Sequence, residues 1–328
     1  MKRSVVMWLL GLLLLFAFLA SLAFGEVRLP LPDVMQALRG RGNPMTLTVL
    51  RDFRLPRSLV GAAVGAALAA SGVVMQAFFR NALASPGLLG VSSGAALGAV
   101  SVLAFGLGQT LWTVPLAALA GAFASTVAVV MLARRGAGTE RLLLSGIALN
   151  ALLDADTALL LSVSAGRLEL NGQILFWLMG GLESRTTEHV IIGIPSIVVA
   201  CVLLLPLGRA LNLISLGEQT AQSLGVDVRR VRWQLVGLST LLTALATSVA
   251  GVVGFVGLVV PHLLRLCLGP DHRRLLPASM MGGAALTLAC DVATRVLPGG
   301  LRLGIVTAFV GGPFFLWLLR RERREYRL

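Results

Sequence analysis

The chain has 328 residues, of which 56% are hydrophobic and only 13% are charged, and its mean hydropathy is +0.87. Soluble globular domains carry about a quarter charged residues, so this composition excludes a soluble protein and indicates an integral membrane protein. The net charge of +13 is spread between apolar runs and forms no single basic face, which argues against nucleic-acid binding.

Apolar runs of roughly 18–25 residues, rich in Leu, Ala, Val and Gly, predict membrane helices rather than the strands of a β-barrel. We therefore predict an all-α polytopic fold with a single transmembrane domain over residues 1–328. The first run is expected to be a retained helix, with a cleaved signal peptide as the alternative. The eighth run is short, so it is expected to be tilted or merged with its neighbour. The ten predicted spans are about 4–25, 58–79, 89–108, 113–133, 142–162, 188–207, 233–251, 254–268, 277–296 and 303–320.

The distribution of basic residues predicts the orientation of these spans. With both termini in the cytoplasm, the cytoplasmic segments carry 18 basic residues and the outer segments carry 10. The outer segments include an amphipathic piece at 31–40 and a half-helix at about 172–182, which is too short to cross the membrane. After the second span, Pro86 and Gly87 break the helix, and Ser92 or Ser93 is expected to cap the next one.

Several isolated polar residues are candidates for chemistry. The three cysteines (Cys201, Cys267, Cys290) and the three histidines are dispersed, which predicts neither a disulfide framework nor a metal site. His262 is expected to be a hydrogen-bonded core residue and His272 a solvated loop residue. No GxxxxGK[ST] motif is present, so the chain is not expected to hydrolyse ATP or to hold a cofactor of its own.

Asp154 and Asp156 fall inside the fifth span, where a carboxylate costs about 2.5–3.5 kcal/mol unless it faces a wet cavity or a partner. Asn150 lies one helical turn before Asp154, on the same face. A role in a transport path and a proton relay are the two functional interpretations, and a position near the outer end of the span is the structural one. Asp291 and Arg295 are spaced for an i,i+4 ion pair.

The polar segment 208–232 stands apart from the apolar runs around it. Gly217 is expected to begin a short amphipathic helix that carries Glu218 in its first turn, and Gly225 is expected to end it. Its place between two spans suits docking into a groove of a soluble partner. Lying on the lipid surface is the alternative, and the residues alone favour neither.

Five stretches, taken together and in order, resemble the FecCD-type permeases, the membrane subunits of ABC importers for ferric siderophores, haem and vitamin B12. The stretches begin with 54-RLPRSLVGAAVGAALAASGVVMQAFFRNALASPG, 143-LLSGIALNAL with 176-FWLMGGL, 216-LGEQTAQSLGVDV, 254-GFVGLVVPHLLRLCLGPDHRRLLP and 304-GIVTAFVGGPFFLWLL. They span nearly the whole chain.

The resemblance implies ten helices per chain, a homodimer, two cytoplasmic ATPase subunits that hold ATP and magnesium, and an external substrate-binding protein, in a bacterial inner membrane. It implies a translocation path at the dimer interface, with Asn150, Asp154 and Trp177 as candidate lining residues. It also implies docking of the binding protein at Arg54, Arg57 and Arg295. The helix at about 214–225 matches the coupling helix that contacts the ATPase, with contacts expected at Leu216, Gly217, Glu218, Ala221, Leu224 and Gly225.

The sequence departs from the family pattern in three places. It has 81-NALA-84 where NPLA is usual, Leu301-Arg302 where a Leu-Pro pair is usual, and two unexpected aspartates at 154 and 156. The expected cargo is an iron compound, haem or a ferric siderophore, with cobalamin as the alternative. A proton-coupled secondary transporter using Asp154, and a non-transporting scaffold, are more distant alternatives.

Overall fold

A computed structural model of the protein describes residues 3–107, 110–133, 139–164 and 166–325. Over these ranges the chain is helical and contains no strand. Three short segments of other helix types accompany the α-helices: a π-helix at Val49–Arg54 and 3-10 helices at Pro86–Leu89 and Leu205–Leu207. The α-helices of the described ranges are α1 (Arg3–Ala23), α2 (Leu31–Leu38), α3 (Pro44–Thr48), α4 (Leu55–Phe78), α5 (Val91–Ala104), α6 (Thr113–Ala133), α7 (Thr139–Val163), α8 (Leu168–Leu178), α9 (Thr187–Leu204), α10 (Gly208–Ser215), α11 (Glu218–Ser223), α12 (Val228–Ala250), α13 (Val256–Leu268), α14 (His272–Val296) and α15 (Leu303–Glu325).

The ten predicted spans are confirmed as helices. They correspond to α1, α4, α5, α6, α7, α9, α12, α13, α14 and α15. Seven helical segments in the described ranges are long and apolar enough to cross a membrane, and shorter apolar helices lie at Val91–Ala104, Val256–Leu268 and Leu303–Leu318. The short eighth span is α13, which is separated from α12 by the non-helical residues 251–255.

Helix α4 lies at the centre of the bundle. It continues without a break from α3 and the π-helix, so that Pro44–Phe78 forms one helical rod of 35 residues. Of the residues in the most apolar 18-residue stretch of this rod, 78% are buried. Its neighbours are α14, α12, α13, α9, α10 and α1. The sequence of α4 is dominated by Gly, Ala, Ser and Val, the small residues that allow close helix packing where hydrophobicity cannot drive association.

Glycines of α4 bring its backbone into direct contact with two neighbouring helices. A Cβ atom on Gly65 would overlap the carbonyl oxygen of Gly283 in α14, and one on Gly72 would overlap that of Gly257 in α13. Between them, the buried Ser71 hydroxyl contacts the hydroxyls of Ser239 and Thr243 in α12 at 2.5 and 2.7 Å. Backbones at this distance leave no room for a side chain between α4 and either α13 or α14, and the Ser71 hydroxyl ties α12 to the same helix.

Two predicted boundaries are wrong because glycines with positive φ decide them. The half-helix is α8, which ends at Leu178 rather than 182, because Gly180 has φ +64°. The helix after Pro86–Leu89 is preceded by Gly90, with φ +79°, so Ser92 and Ser93 lie inside α5 and do not cap it. Only a residue without a Cβ adopts these conformations at little cost.

The polar segment forms two short helices rather than one helix over 214–225. Helix α10 ends at Ser215, and α11 covers only Glu218–Ser223. Gly217 precedes α11 with φ +118°, and Gly225 follows it with φ +81°. The prediction that these two glycines bound the helix is confirmed, since each takes a backbone conformation that other residues rarely adopt.

The packing of α4 predicts a specific sensitivity to added volume. Gly72→Ala should lower the thermal unfolding midpoint of the purified protein markedly, because overpacking costs about 1–3 kcal/mol even where side chains can move and here the obstacle is backbone. Gly237→Ala is the matched control, since a Cβ at this exposed position in α12 meets nothing within 4 Å. Equal midpoints for the two variants would contradict this description of the core.

Candidate functional site

A group of charged side chains, here called the arginine cluster, lies at the end of the bundle where α4 begins. At its centre is Asp291 of α14, whose side chain is fully buried. Arg57 of α4 donates to it from Nε and Nη2 at 2.9 and 2.8 Å, and Arg295 contacts its other oxygen at 2.9 Å. The i,i+4 ion pair of Asp291 and Arg295 is thus confirmed. The cluster consists of Arg54, Arg57, Arg295, Arg302, Asp291 and Glu183.

Glu183, in the loop after α8, extends the cluster towards the start of α15. Its Oε1 lies 3.2 Å from Nη1 of Arg302 and 3.8 Å from Nη2 of Arg57. The guanidinium of Arg302 also stacks on the ring of Phe176 in α8, 3.6 Å from its centroid. Four guanidinium groups and two carboxylates leave the cluster with an excess of two positive charges. Among the ion-paired arginines of the cluster, Arg302 has the most exposed side chain (27%).

Two of the arginines predicted for docking cap the end of α1 instead of pointing outward. Arg54 donates to the carbonyl oxygens of Leu22, Ala23 and Val27, and only 6% of it is exposed. Arg295 donates to Ser21 and Phe24. Cations stabilise the carbonyl end of a helix, so both side chains are used inside the protein. Arg57, at 16% exposure, is also held by Asp291.

Helix α11 lies beyond the opposite end of α4. Ala221, within α11, is buried, whereas Leu216 and Leu224, which flank the helix, are 66% and 59% exposed. Glu218 forms an ion pair with Arg232 of α12, and the guanidinium of Arg232 lies 5.8 Å from the ring centroid of Phe78, at the end of α4. This end of α4 therefore contacts α12, and through Arg232 it reaches α11.

Helix α10, which leads into α11, is fixed to the start of α14. Asn212 donates to Asp271 at 2.8 Å and accepts from the backbone amide of His272 at 2.8 Å. The Asn212 hydrogen bond holds the pKa of the Asp271 carboxyl below its usual value, with support from the Arg273 amide. The prediction that His272 is a solvated loop residue is wrong, because its ring is buried against Asn212.

A cavity of about 650 Å³ opens beside α8. Trp177 lines it and is 9% exposed. Arg185 and His189 contact each other at 3.0 Å on another wall. Burial lowers the pKa of the Arg185 guanidinium, whereas the nearby charge of Glu183 raises it. The remaining lining residues are Leu103, Leu111, Val114, Pro115, Glu169, Gly172, Gln173, Phe176, Ser184 and Ser248.

The other two residues predicted for a transport path do not line this cavity. Asn150 donates from Nδ2 to the carbonyl oxygen of Gly87 at 2.9 Å, which ties α7 to the Pro86–Leu89 segment. Asp154 and Asp156 are exposed on α7, within the apolar segment Glu140–Val163. A single chain therefore does not bring Asn150, Asp154 and Trp177 together around one space.

Sequence reasoning missed the contacts that join distant segments. Arg57 and Asp291 are 234 residues apart, and nothing in the local pattern pairs them. Glu183, Arg302 and Phe176 were not singled out as a group either. The one available signal was Asp291 itself, because an acidic residue within an apolar helix needs a buried cation. The described residues contain no group of three or more His, Cys, Asp or Glu side chains that could hold a metal ion.

The chain is similar to known transport proteins over almost all its length. The profile of the FecCD transport family matches residues 13–321. The hemin transport system permease protein HmuU of Yersinia pestis is 43% identical over 84% of this chain and 84% of its own length. The cobalamin import system permease protein BtuC of Halobacterium salinarum is 42% identical over 95% of this chain and 80% of its own length. A solved structure, described as an inward-facing metal-chelate type ABC transporter, superposes with a TM-score of 0.88 at 33% identity, covering 97% of this chain and 99% of that one.

The geometry of the arginine cluster predicts the effect of removing its central carboxylate. Asp291→Asn leaves Arg57 and Arg295 buried beside each other without their counter-charge, and breaking a buried pair in this way costs about 3–5 kcal/mol. The unfolding midpoint of the purified protein should fall clearly. Asp52→Asn, an exposed aspartate close to the same end of α4, should leave it unchanged. A midpoint for Asp291→Asn equal to that of the control would show that the cluster does not stabilise the fold.

Proposed function

We propose a specific transport role for this chain, which belongs to the FecCD transport family, the membrane permease subunits of ABC importers. The chain is a multi-pass membrane permease and not an enzyme, since ATP hydrolysis is carried by a separate subunit in this family. The proposed role is uptake of an iron compound, haem or a ferric siderophore, across a bacterial inner membrane. Alternating access at a homodimer interface is the proposed mechanism.

The observation that carries this proposal is the exposed surface of α11. Leu216 and Leu224 flank this short helix and are exposed, whereas Ala221 within it is buried and anchors it to the rest of the chain. Two exposed leucines beside the ion pair of Glu218 and Arg232 form a surface suited to the groove of a soluble partner. We propose that the ATPase subunit binds here, with contacts from Leu216, Gly217, Glu218, Ala221, Leu224 and Gly225. This assignment places α11 in the cytoplasm.

The arginine cluster is the proposed docking site of the substrate-binding protein, on the outer side. Its two excess positive charges favour an acidic partner surface, and charges at the rim of such an interface mainly steer association and fix register. Arg54 and Arg295 are occupied by the end of α1, so the proposed direct contacts shift towards Arg57 and Arg302. Arg54 and Arg295 then act by supplying charge and by holding the cluster in place.

A second copy of the chain is proposed to complete the translocation path. Asp154 is exposed near the middle of the apolar segment Glu140–Val163, where facing hydrocarbon would cost about 2.5–3.5 kcal/mol. A wet path between two copies removes that cost. In this arrangement Asp154 and Asn150 border the path from α7, and Trp177 borders the cavity beside α8. A proton relay at Asp154 would need the same exposure but no ATPase.

The cargo proposal rests on the relatives. The names of two of them specify hemin and cobalamin, and a structural relative is described as metal-chelate type. The shared chemical class is a large organic chelate of a transition metal. We propose haem or a ferric siderophore as the cargo of this chain and cobalamin as the alternative. Uptake by the reconstituted importer with haem, a ferric siderophore and cobalamin offered separately distinguishes them, and uptake of cobalamin alone would overturn the iron proposal.

The proposed ATPase contact predicts the effect of Leu224→Ser. Leu224 is exposed in this chain and would become buried at the centre of the proposed interface. Its removal should weaken association of the ATPase subunit roughly 10–100-fold, measured by co-purification and by titration. Leu38→Ser is the matched control, because this leucine is similarly exposed (47%) but lies in α2, beside α1 and the π-helix. Normal ATPase binding by Leu224→Ser would rule out α11 as the contact.

A further inference from the structure

Arg302 makes two contacts that converge on α8. Its guanidinium stacks on Phe176, within α8, and pairs with Glu183, in the loop that follows α8. Arg302 itself lies immediately before α15. One side chain therefore connects the start of α15 to both the helix and the loop that leaves it.

Helix α8 is also held by packing against α5, by the buried side chains of Ile174 and Trp177, and by backbone hydrogen bonds near its end. At its end, the amide of Gly304 donates to the carbonyl oxygen of Met179 at 3.1 Å, and the amide of Gly181 donates to Ala250 at 2.8 Å. Its beginning borders the cavity with Glu169, Gly172 and Gln173. A helix of 11 residues is marginal without tertiary support. Contacts to its side chains therefore have a large share in holding it in position.

Glu183 also connects this contact to the rest of the arginine cluster. Its Oε1 faces both Arg302 and Arg57, and its side chain is 24% exposed, so solvent or a partner can reach the site. Arg57 is held in turn by Asp291. An external carboxylate that enters the cluster meets the same guanidinium groups that Glu183 uses.

We propose that Arg302 is a positioning residue that fixes α8 against the start of α15, through Phe176 and Glu183. We further propose that an acidic group bound at the cluster competes with Glu183 for Arg302 and Arg57 and so loosens α8. The competition step rests on the proposed docking function, whereas the positioning step does not. The beginning of α8 borders the cavity of Trp177, so its release changes the shape of that cavity.

Hydrogen exchange of the α8 amides, measured by mass spectrometry on the full-length protein in nanodiscs, tests the positioning step. Arg302→Gln should accelerate exchange over 168–178 by about tenfold, the combined effect of one exposed cation–π contact and one partly exposed ion pair. Arg302→Lys should give an exchange rate between those of the wild type and Arg302→Gln, because lysine keeps the charge but cannot stack a planar group on Phe176. Arg28→Gln, an exposed arginine outside the cluster, is the control and should match the wild type.

Glu183→Gln should accelerate the same amides, and combining it with Arg302→Gln should add less than the sum of the two effects, since both act on one contact. Exchange over 168–178 within twofold of the wild type in Arg302→Gln would overturn the positioning role. An equal acceleration in α4 and α14 would also overturn it, because it would show general destabilisation.

Adding the substrate-binding protein of the same importer tests the competition step. Exchange over 168–178 should accelerate in the wild type but change little further in Arg302→Gln. Binding without any change in α8 would overturn the competition step. Absence of binding to the wild type would overturn the proposed docking function and the competition step with it, while the exchange measured on the chain alone still decides the positioning role.

Discussion

Two glycine-to-carbonyl contacts, of Gly65 with Gly283 and of Gly72 with Gly257, fix α4 against α14 and α13. Because no side chain separates these backbones, the helices cannot slide past one another without large steric cost. Helix α4 alone is about 36 Å long at 1.5 Å per residue. Helix α4 is therefore a rigid connection between the arginine cluster at its start and the Arg232 contact at its end. It joins the two proposed partner sites mechanically.

At both ends of this helical rod, arginine side chains connect neighbouring helices. Arg57 and Arg295 bring α4, α14 and the end of α1 together around Asp291, and Arg232 brings α12 beside α11 and Phe78. Arginine suits this role, since its planar group makes several directed hydrogen bonds at once and stays charged when partly buried. The high number of arginines in the proposed outer segments is thus partly structural, because several of them have partners within the chain.

The sequence predicted what depends on local pattern. Ten apolar helices and the glycines that bound α11 follow from hydrophobic run length and from backbone conformations that favour glycine. The end of α8, the cap of α5 and the burial of His272 were predicted wrongly, because each depends on a tertiary contact or on a φ angle that the pattern does not reveal. Similarly, Arg54 was assigned to docking by resemblance to the family, and only the fold shows that it donates hydrogen bonds to the end of α1.

The central proposal is that the ATPase subunit acts through α11 and that the substrate-binding protein delivers cargo at the arginine cluster. Uptake into proteoliposomes tests it most directly. Vesicles that contain this chain with its ATPase subunit, and are supplied with the loaded substrate-binding protein, should accumulate the iron chelate only when ATP is present on the α11 side. Leu224→Ser should strongly reduce this accumulation, in line with its weaker ATPase binding, while leaving the chain folded. Uptake by the chain alone, driven by a proton gradient without ATPase or binding protein, would contradict the account.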